Sequence, residues 1–237
     1  MREYLEPGRF VDSAHPAVAE FSRSNASGRD DRERAVSLYY AVRDAVPYNP
    51  FLDFSDPDVY RASAVLAANQ GFCVGKAALL AACARAAGIP ARVGFADVRN
   101  HLTTPRLAET MGSDLFVYHG YAELHVDGRW VKATPAFNLA LCTRFRVKPL
   151  EFDGREDSIF HPFDEDNRRH MEYLRDRGVH ADVPVEEIQR AFREDADLAL
   201  RRLPASPIPE PDGGTDDERV GPLRLVGSGL ASPAAVK

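Results

Sequence analysis

Between Phe72 and Ala87 only Lys76 and Arg85 are charged, in an otherwise apolar, alanine-rich run that Gly88 and Pro90 close. The run is too long for an ordinary strand, and alanine is the best helix former, so it predicts a helix covered by protein on most of its sides. Glycine just past the last turn and proline shortly beyond it are the usual stop. A helix that must be buried all round needs further elements on every face, which makes this run the likeness to a central beam around which the rest is arranged. Cys73 stands at its start. A helix N-terminus carries about half a positive charge and unpaired N–H donors, and both lower the pKa of a thiol toward the reactive thiolate. The plain alternative is that a buried cysteine is a small hydrophobe.

The flanking segments predict what surrounds this helix. Asp30 or Asp31 caps a helix from Arg32 to Ala45, with Ala35, Leu38, Tyr39 and Val42 at helical spacing and Pro47 beyond its end. A proline- and aromatic-rich loop, Pro47 to Pro57, leads to a shorter helix, Tyr60 to Ala68, which Asn69-Gln70-Gly71 breaks. After the central helix, Ala91, Val93 and Phe95 alternate in a strand that ends near Asp97-Val98, and Asn100 to Asp114 form an irregular excursion. Val117 to Val126 and Arg129 to Thr134 flank Asp127-Gly128, the strongest short-range signal for a β-hairpin. From Pro135 to about Phe163 the chain is loop-rich, with a short strand through Phe145, Val147 and Leu150, and Val185 to Leu200 form a last helix. Eleven of the last 34 residues are Pro or Gly, so Pro204 to Lys237 are expected to be a disordered tail behind one domain over residues 1–203. The fold class is α+β, a central Cys-bearing helix on an antiparallel sheet.

A net charge of -6 without any Lys/Arg cluster argues against a nucleic-acid or anionic-membrane surface. Neither a signal-peptide pattern near Met1 nor an apolar run approaching the roughly 20 residues of a membrane span is visible, so the expected location is the cytoplasm and no membrane partner is expected. The three cysteines, 73, 83 and 142, form no CxxC pair and are odd in number, which leaves at least one free thiol and suits a reducing compartment.

A two-residue turn at Asp127-Gly128 fixes the hairpin register. It pairs Val126 with Arg129, His125 with Trp130, Glu123 with Lys132 and Tyr121 with Thr134. Alternation then places His119, Tyr121, Glu123, His125, Trp130, Lys132 and Thr134 on one face, with Thr134 diagonal to His119. The opposite face, Gly120, Ala122, Leu124, Val126, Val131 and Ala133, is the more apolar and faces the core by default. A cysteine at a helix start, a histidine on a strand and a polar residue on the next strand are the parts of a thiol nucleophile, its base and the group that orients the base. Glu123 opposite Lys132 is expected to be a cross-strand ion pair. A metal trio of His119, Glu123 and His125 lacks a further spaced ligand set, so no metal and no cofactor are expected.

Gly71-Phe72-Cys73, Ala86-Ala87-Gly88-Ile89-Pro90-Ala91-Arg92-Val93, His119-Gly120-Tyr121-Ala122-Glu123-Leu124 and Gly128-Arg129-Trp130-Val131-Lys132-Ala133-Thr134-Pro135 together resemble the transglutaminase-like core, over about Val36 to Asn138. In that family the Cys is the nucleophile, the His-small-aromatic-x-Glu strand carries the base, and the next strand, ending Trp-Val-x-x-Asp-Pro, carries an orienting Asp. The resemblance implies a papain-like scaffold of an uncharacterised bacterial type, with Cys73 as nucleophile, His119 as base and position 134 as third member. Residues 139–203 form an extension to it. Thr134 stands where the family usually has Asp, and Tyr121 where it often has Trp. Papain-type enzymes manage with a neutral third residue, and the Thr134 hydroxyl can accept a bond from the ring N–H. Asp114, Asp153 and Asp157 are the alternative carboxylates.

Gln70 and the Cys73 backbone N–H are candidate oxyanion donors, although Asn69-Gln70 also suits a helix cap. Tyr121 and His101 are candidate substrate contacts, and His161 is expected to be structural. The implied function is attack by Cys73 on an amide, ester or thioester carbonyl of a peptide, protein or small molecule, followed by hydrolysis or transfer of the acyl group. Two alternatives stand beside it: a catalytically altered scaffold that binds a peptide or protein, and a Cys–His pair used for non-hydrolytic chemistry on a small metabolite.

Overall fold

The central run is an α-helix, Cys73–Ala86, in which every residue from Cys73 to Arg85 is buried. The computed structural model describes residues 1–101, 114–159 and 171–202, with main chain alone from 195. All of these belong to one unit, Met1–Leu203. In chain order the helices are α1 (Pro16–Asn25), α2 (Asp31–Ala45), α3 (Ala62–Ala68), α4 (Cys73–Ala86), α5 (Leu139–Phe145) and α6 (Val185–Arg202). The strands β1 (Ala91–Asn100), β2 (Leu115–Val126), β3 (Arg129–Ala133) and β4 (Met171–His180) form an antiparallel sheet in the order β3-β2-β1-β4. The expected excursion between Asn100 and Asp114, His161 and the expected tail lie wholly or mostly outside the described residues. No helix among the described residues is long and apolar enough to cross a membrane.

Helices α1, α2 and α3 touch α4 on one side, and β1 and β2 touch it on the other. That arrangement answers the demand of an all-round apolar helix for protein on every face. Asp30 caps α2 by accepting from Glu33 N at 2.8 Å. The two buried cations of α4 tie it to its neighbours through carbonyls. Lys76 Nζ donates to Arg43 O at 2.9 Å and to Val46 O, neutralising the orphan carbonyls at the end of α2. Arg85 donates to Ala91 O at 2.9 Å, Glu6 O at 2.6 Å and Ala181 O, joining the start of β1, the N-terminal segment and the chain beyond β4.

The hairpin has the predicted register from Val126↔Arg129 to Ala122↔Ala133. Asp127 and Gly128 both take positive φ, 50° and 79°, as a two-residue turn of this kind requires. The apolar face of β2 does lie on α4: a Cβ on Gly120 would stand 2.8 Å from Val74 Cα, so only glycine lets strand and helix come this close.

Four expectations are corrected. Phe145, Val147 and Leu150 do not form a strand. Leu139–Phe145 is helical, with Leu139 N donating to Asp44 Oδ1 at 2.9 Å and Arg146 ending the helix at φ 55°, so a long-range tether to α2 prevails over a short apolar run. The segment before Asn69 is two pieces, a 3-10 turn Pro57–Tyr60 and α3, and β1 continues to Asn100. Glu123 and Lys132 are in register but do not pair. Arg92 reaches Glu123 at 2.6 Å, because its fork fits a carboxylate better than an ammonium does, and Lys132 Nζ lies 5.0 Å over the Tyr121 ring.

Candidate active site

Cys73 is the first residue of α4, and the N-cap residue Phe72 supplies no side-chain hydrogen bond. The first-turn N–H groups of α4 are therefore not occupied by a capping side chain. Cys73 is 8% exposed, beneath a wall in which Phe72 packs on Phe54 and Tyr60 with ring centroids 4.9 and 5.3 Å apart. Burial pushes its thiol up to about 11, while the backbone N–H groups of Gly120, Val74 and Cys73 itself favour the anion and pull the other way. The helix N-terminus thus acts in the expected direction, but desolvation outweighs it. All three cysteines are free thiols.

The Gly120 N–H belongs to the peptide that follows His119, so the strand bearing the histidine meets the sulfur at this point. His119 is 4% exposed, and burial pushes its imidazole down to about 3, with the Gly120 backbone opposing. Near pH 7 both groups are therefore neutral: a protonated thiol and an unprotonated ring. Tyr48 and Tyr60, which the sequence did not single out, complete the surroundings. Burial raises both phenols, and the nearby sulfur raises them further.

β3 pairs with β2 only as far as Ala133↔Ala122, and Thr134 follows it. Thr134 is buried, and its C=O accepts from Tyr39 Oη at 3.2 Å. Its Oγ1 makes no hydrogen bond among the described residues, so a hydroxyl bond to the His119 ring is not made. The three alternative carboxylates are engaged elsewhere. Asp114 faces Arg99 at 3.3 Å, Asp153 accepts from Arg155 N and Glu156 N, and Asp157 accepts from Lys132 N at 2.9 Å.

Gln70 lies at the surface, where its Oε1 accepts from Asn49 Nδ2 at 3.0 Å, and Asn69, at φ 48°, ends α3. His101 Nε2 bonds Glu172 Oε2 at 3.1 Å, beside the start of β4. Tyr121 is buried with its ring over Gly94, where a Cβ would clash at 2.4 Å. It lines an open cavity of about 390 Å³ with Lys132 and Tyr173, and neither Cys73 nor His119 lines that cavity. No group of three His, Cys, Asp or Glu among the described residues could hold a metal ion.

Sequence reasoning missed one constellation next to His119. Asp97, Tyr118 and Arg177 interlock at a bulge in β2, and no local pattern announces it.

Residues 19–135 match the family model of the transglutaminase-like superfamily, so the match begins earlier than the motifs alone suggested. None of the curated proteins matches this chain. Among solved structures, a candidate cysteine protease from Cytophaga hutchinsonii is similar at 15% identity and a TM-score of 0.43, over 75% of this chain and 53% of that one. A candidate protease from Parabacteroides distasonis is similar at 18% identity and a TM-score of 0.39, over 53% of this chain and 24% of that one. A TGase is similar at 20% identity and a TM-score of 0.36, over 55% and 32%. The chain spans about half the length of the first of these and a third or less of the other two.

Proposed function

Because residues 19–135 belong to the transglutaminase-like superfamily, we propose that the protein is a thiol acyl-transfer enzyme with Cys73 as nucleophile and His119 as base. The observation that carries this reading is the meeting of the Gly120 N–H, in peptide linkage to His119, with the Cys73 sulfur at the open N-terminus of α4.

The chemistry starts from the neutral pair. As Cys73 Sγ forms a bond to the carbonyl carbon of an amide, ester or thioester, His119 takes the thiol proton, and the carbonyl electron pair moves onto oxygen. Backbone N–H groups at the start of α4 are the available donors for that oxyanion. Collapse breaks the bond to the leaving group, which receives the proton from His119, and leaves an acyl-enzyme. Water, deprotonated by His119, then releases the acid, or an amine accepts the acyl group. Hydrolysis is favoured because water needs no second binding site. With the imidazole neutral above about pH 4 and the thiol protonated to about pH 10, the acylation rate is expected to be flat between them.

One observation favours a second reading, a scaffold that binds a peptide without turning it over: position 134 carries a threonine whose hydroxyl makes no hydrogen bond among the described residues. Intact mass after brief exposure to p-nitrophenyl acetate and to a peptide thioester separates the two. An acyl adduct on Cys73 that His119→Ala slows by about a hundredfold or more supports the enzyme. Absence of any Cys73 adduct from both reagents supports the scaffold. Hydroxylamine or water as acceptor then distinguishes transfer from hydrolysis.

A further inference from the structure

The register of β2 on β1 changes just before His119. Ala96 lies opposite His119 and Val98 opposite Phe116, so Asp97 alone faces two residues, Val117 and Tyr118. The extra residue makes a β-bulge, and Tyr118 within it takes φ 54°, the left-handed region that a bulky side chain enters only against steric strain. Such a conformation persists only where its surroundings hold it. Here the surroundings are specific. Tyr118 N donates to Asp97 Oδ1 at 3.1 Å. Asp97, 5% exposed, receives Arg177 on both oxygens, at 2.9 Å from Nε and 2.8 Å from Nη2. The Arg177 guanidinium also lies 4.7 Å over the Tyr118 ring. β4 is bulged in turn: Phe95 faces Gly178 and Ala96 faces Asp176, so Arg177 is the extra residue that reaches back to Asp97.

Side-chain direction in a strand follows the backbone, and a register slip of one residue turns every side chain to the other face. From His119 to Leu124 the register on β1 is unbroken, so the bulge directly before His119 fixes the backbone at the point where that run begins, and bulges elsewhere serve to adjust the aim of a neighbouring side chain. The same role is not filled from β3, since the Thr134 hydroxyl makes no bond to the ring.

We propose that Asp97, locked by Arg177, is a positioning residue for His119: it holds Tyr118 in the left-handed bulge and thereby aims the imidazole at Cys73. This inference rests on the acyl-transfer reading of Cys73 and His119.

The test is the rate of Cys73 alkylation by iodoacetamide from about pH 5 to 9, read on the Cys73 peptide by mass spectrometry. With His119 as base the wild type shows a pH-independent plateau, whereas His119→Ala shows a rate that climbs about tenfold per pH unit. Asp97→Ala is expected to lower the plateau about tenfold or more, and Asp97→Asn, which keeps an acceptor for the Tyr118 N–H but loses the two-oxygen pairing with Arg177, to lower it by about threefold. Asp182→Ala is the control for mere destabilisation. It breaks the clamp that Asp182 makes on Arg9 N and Val11 N, lowering Tm without moving the plateau. If Asp97→Ala does not fold, Arg177→Gln carries the test, with a plateau lower by about threefold or more. A plateau in Asp97→Ala or Arg177→Gln no lower than in Asp182→Ala overturns the positioning role while the pair stands. A plateau that survives His119→Ala overturns the acyl-transfer reading, and the positioning role with it.

Discussion

Two sets of polar groups on α4 (Cys73–Ala86), the buried cation side chains and the uncapped first-turn N–H groups, are treated in opposite ways. Along the helix, Lys76 and Arg85 are as deeply buried as any leucine, yet every one of their charged groups meets a carbonyl: Arg43 O and Val46 O for one, Ala91 O, Glu6 O and Ala181 O for the other. At the first turn the cap residue offers no side-chain acceptor and the N–H groups turn toward a protonated thiol, and the buried Thr134 hydroxyl beyond β3 makes no hydrogen bond among the described residues. A buried polar group left unpaired costs about 1–3 kcal/mol, so a fold tolerates it only in few places. The satisfied cations are scaffolding. On the proposed reading of Cys73 as nucleophile, the uncapped N–H groups are the donors for charge that arises only during the reaction.

Substitutions in each set sharpen or break this contrast. The largest effect is expected at Gly120. Gly120→Ala puts a methyl 2.8 Å from Val74 Cα, so the first turn of α4 must move; Cys73 acylation should fall about a hundredfold and stability by about 1–3 kcal/mol in urea titrations. Lys76→Met tests the satisfied cations. Leaving Arg43 O and Val46 O without their donor should cost about 2–4 kcal/mol, with acylation by the folded protein within about threefold of wild type. Burial also lowers the Lys76 ammonium to about 7. Between that value and the unfolded 10.5 the unfolded chain binds the extra proton, so this group makes stability rise with pH there, and Lys76→Met should lack the rise.

His119 gives the acid limb. Its pKa falls from 6.5 to about 3 on folding, so the contribution is intact above pH 6.5 and is lost as the pH falls toward 3. Between pH 7 and 5 the loss should be about 2 kcal/mol, and His119→Gln should remove that slope from denaturation midpoints. The smallest effect belongs to neither set. Asp127→Asn keeps a residue tolerant of positive φ and deletes only the half-exposed pair with Arg32, so it should shift stability by less than about 0.5 kcal/mol. A larger shift would mean that the hairpin tip carries weight that the contrast assigns to α4.

Whatever is encoded locally was legible in the sequence. The span of α4, the Asp30 cap of α2 and the hairpin register from Val126↔Arg129 to Ala122↔Ala133 each follow from residues a few positions apart, whereas the expected Tyr121–Thr134 pair is not formed. Three elements gave no such signal. α1 buries only Val18 and Ser22, α5 is held by Asp44 from a distant helix, and β4 is an edge strand whose bulges erase alternation. The site divides in the same way. Cys73 and His119 are singled out as candidates by motif and spacing, but the burial that keeps them neutral comes from the tertiary packing around them. Asp97 and Arg177 stand 80 residues apart and meet only because both strands beside β1 slip register. Long-range slips of this kind have no one-dimensional signature.

The most direct measurement is the thiolate absorbance near 240 nm of wild type minus Cys73→Ala, followed from about pH 5 to 11. A neutral pair held by burial gives no thiolate at pH 7 and a rise only above about pH 9, unchanged in midpoint direction by His119→Gln. A full thiolate band at pH 6 to 7 that disappears in His119→Gln would contradict it, because Cys73 and His119 would then rest as a preformed ion pair and charge, not burial, would govern the site.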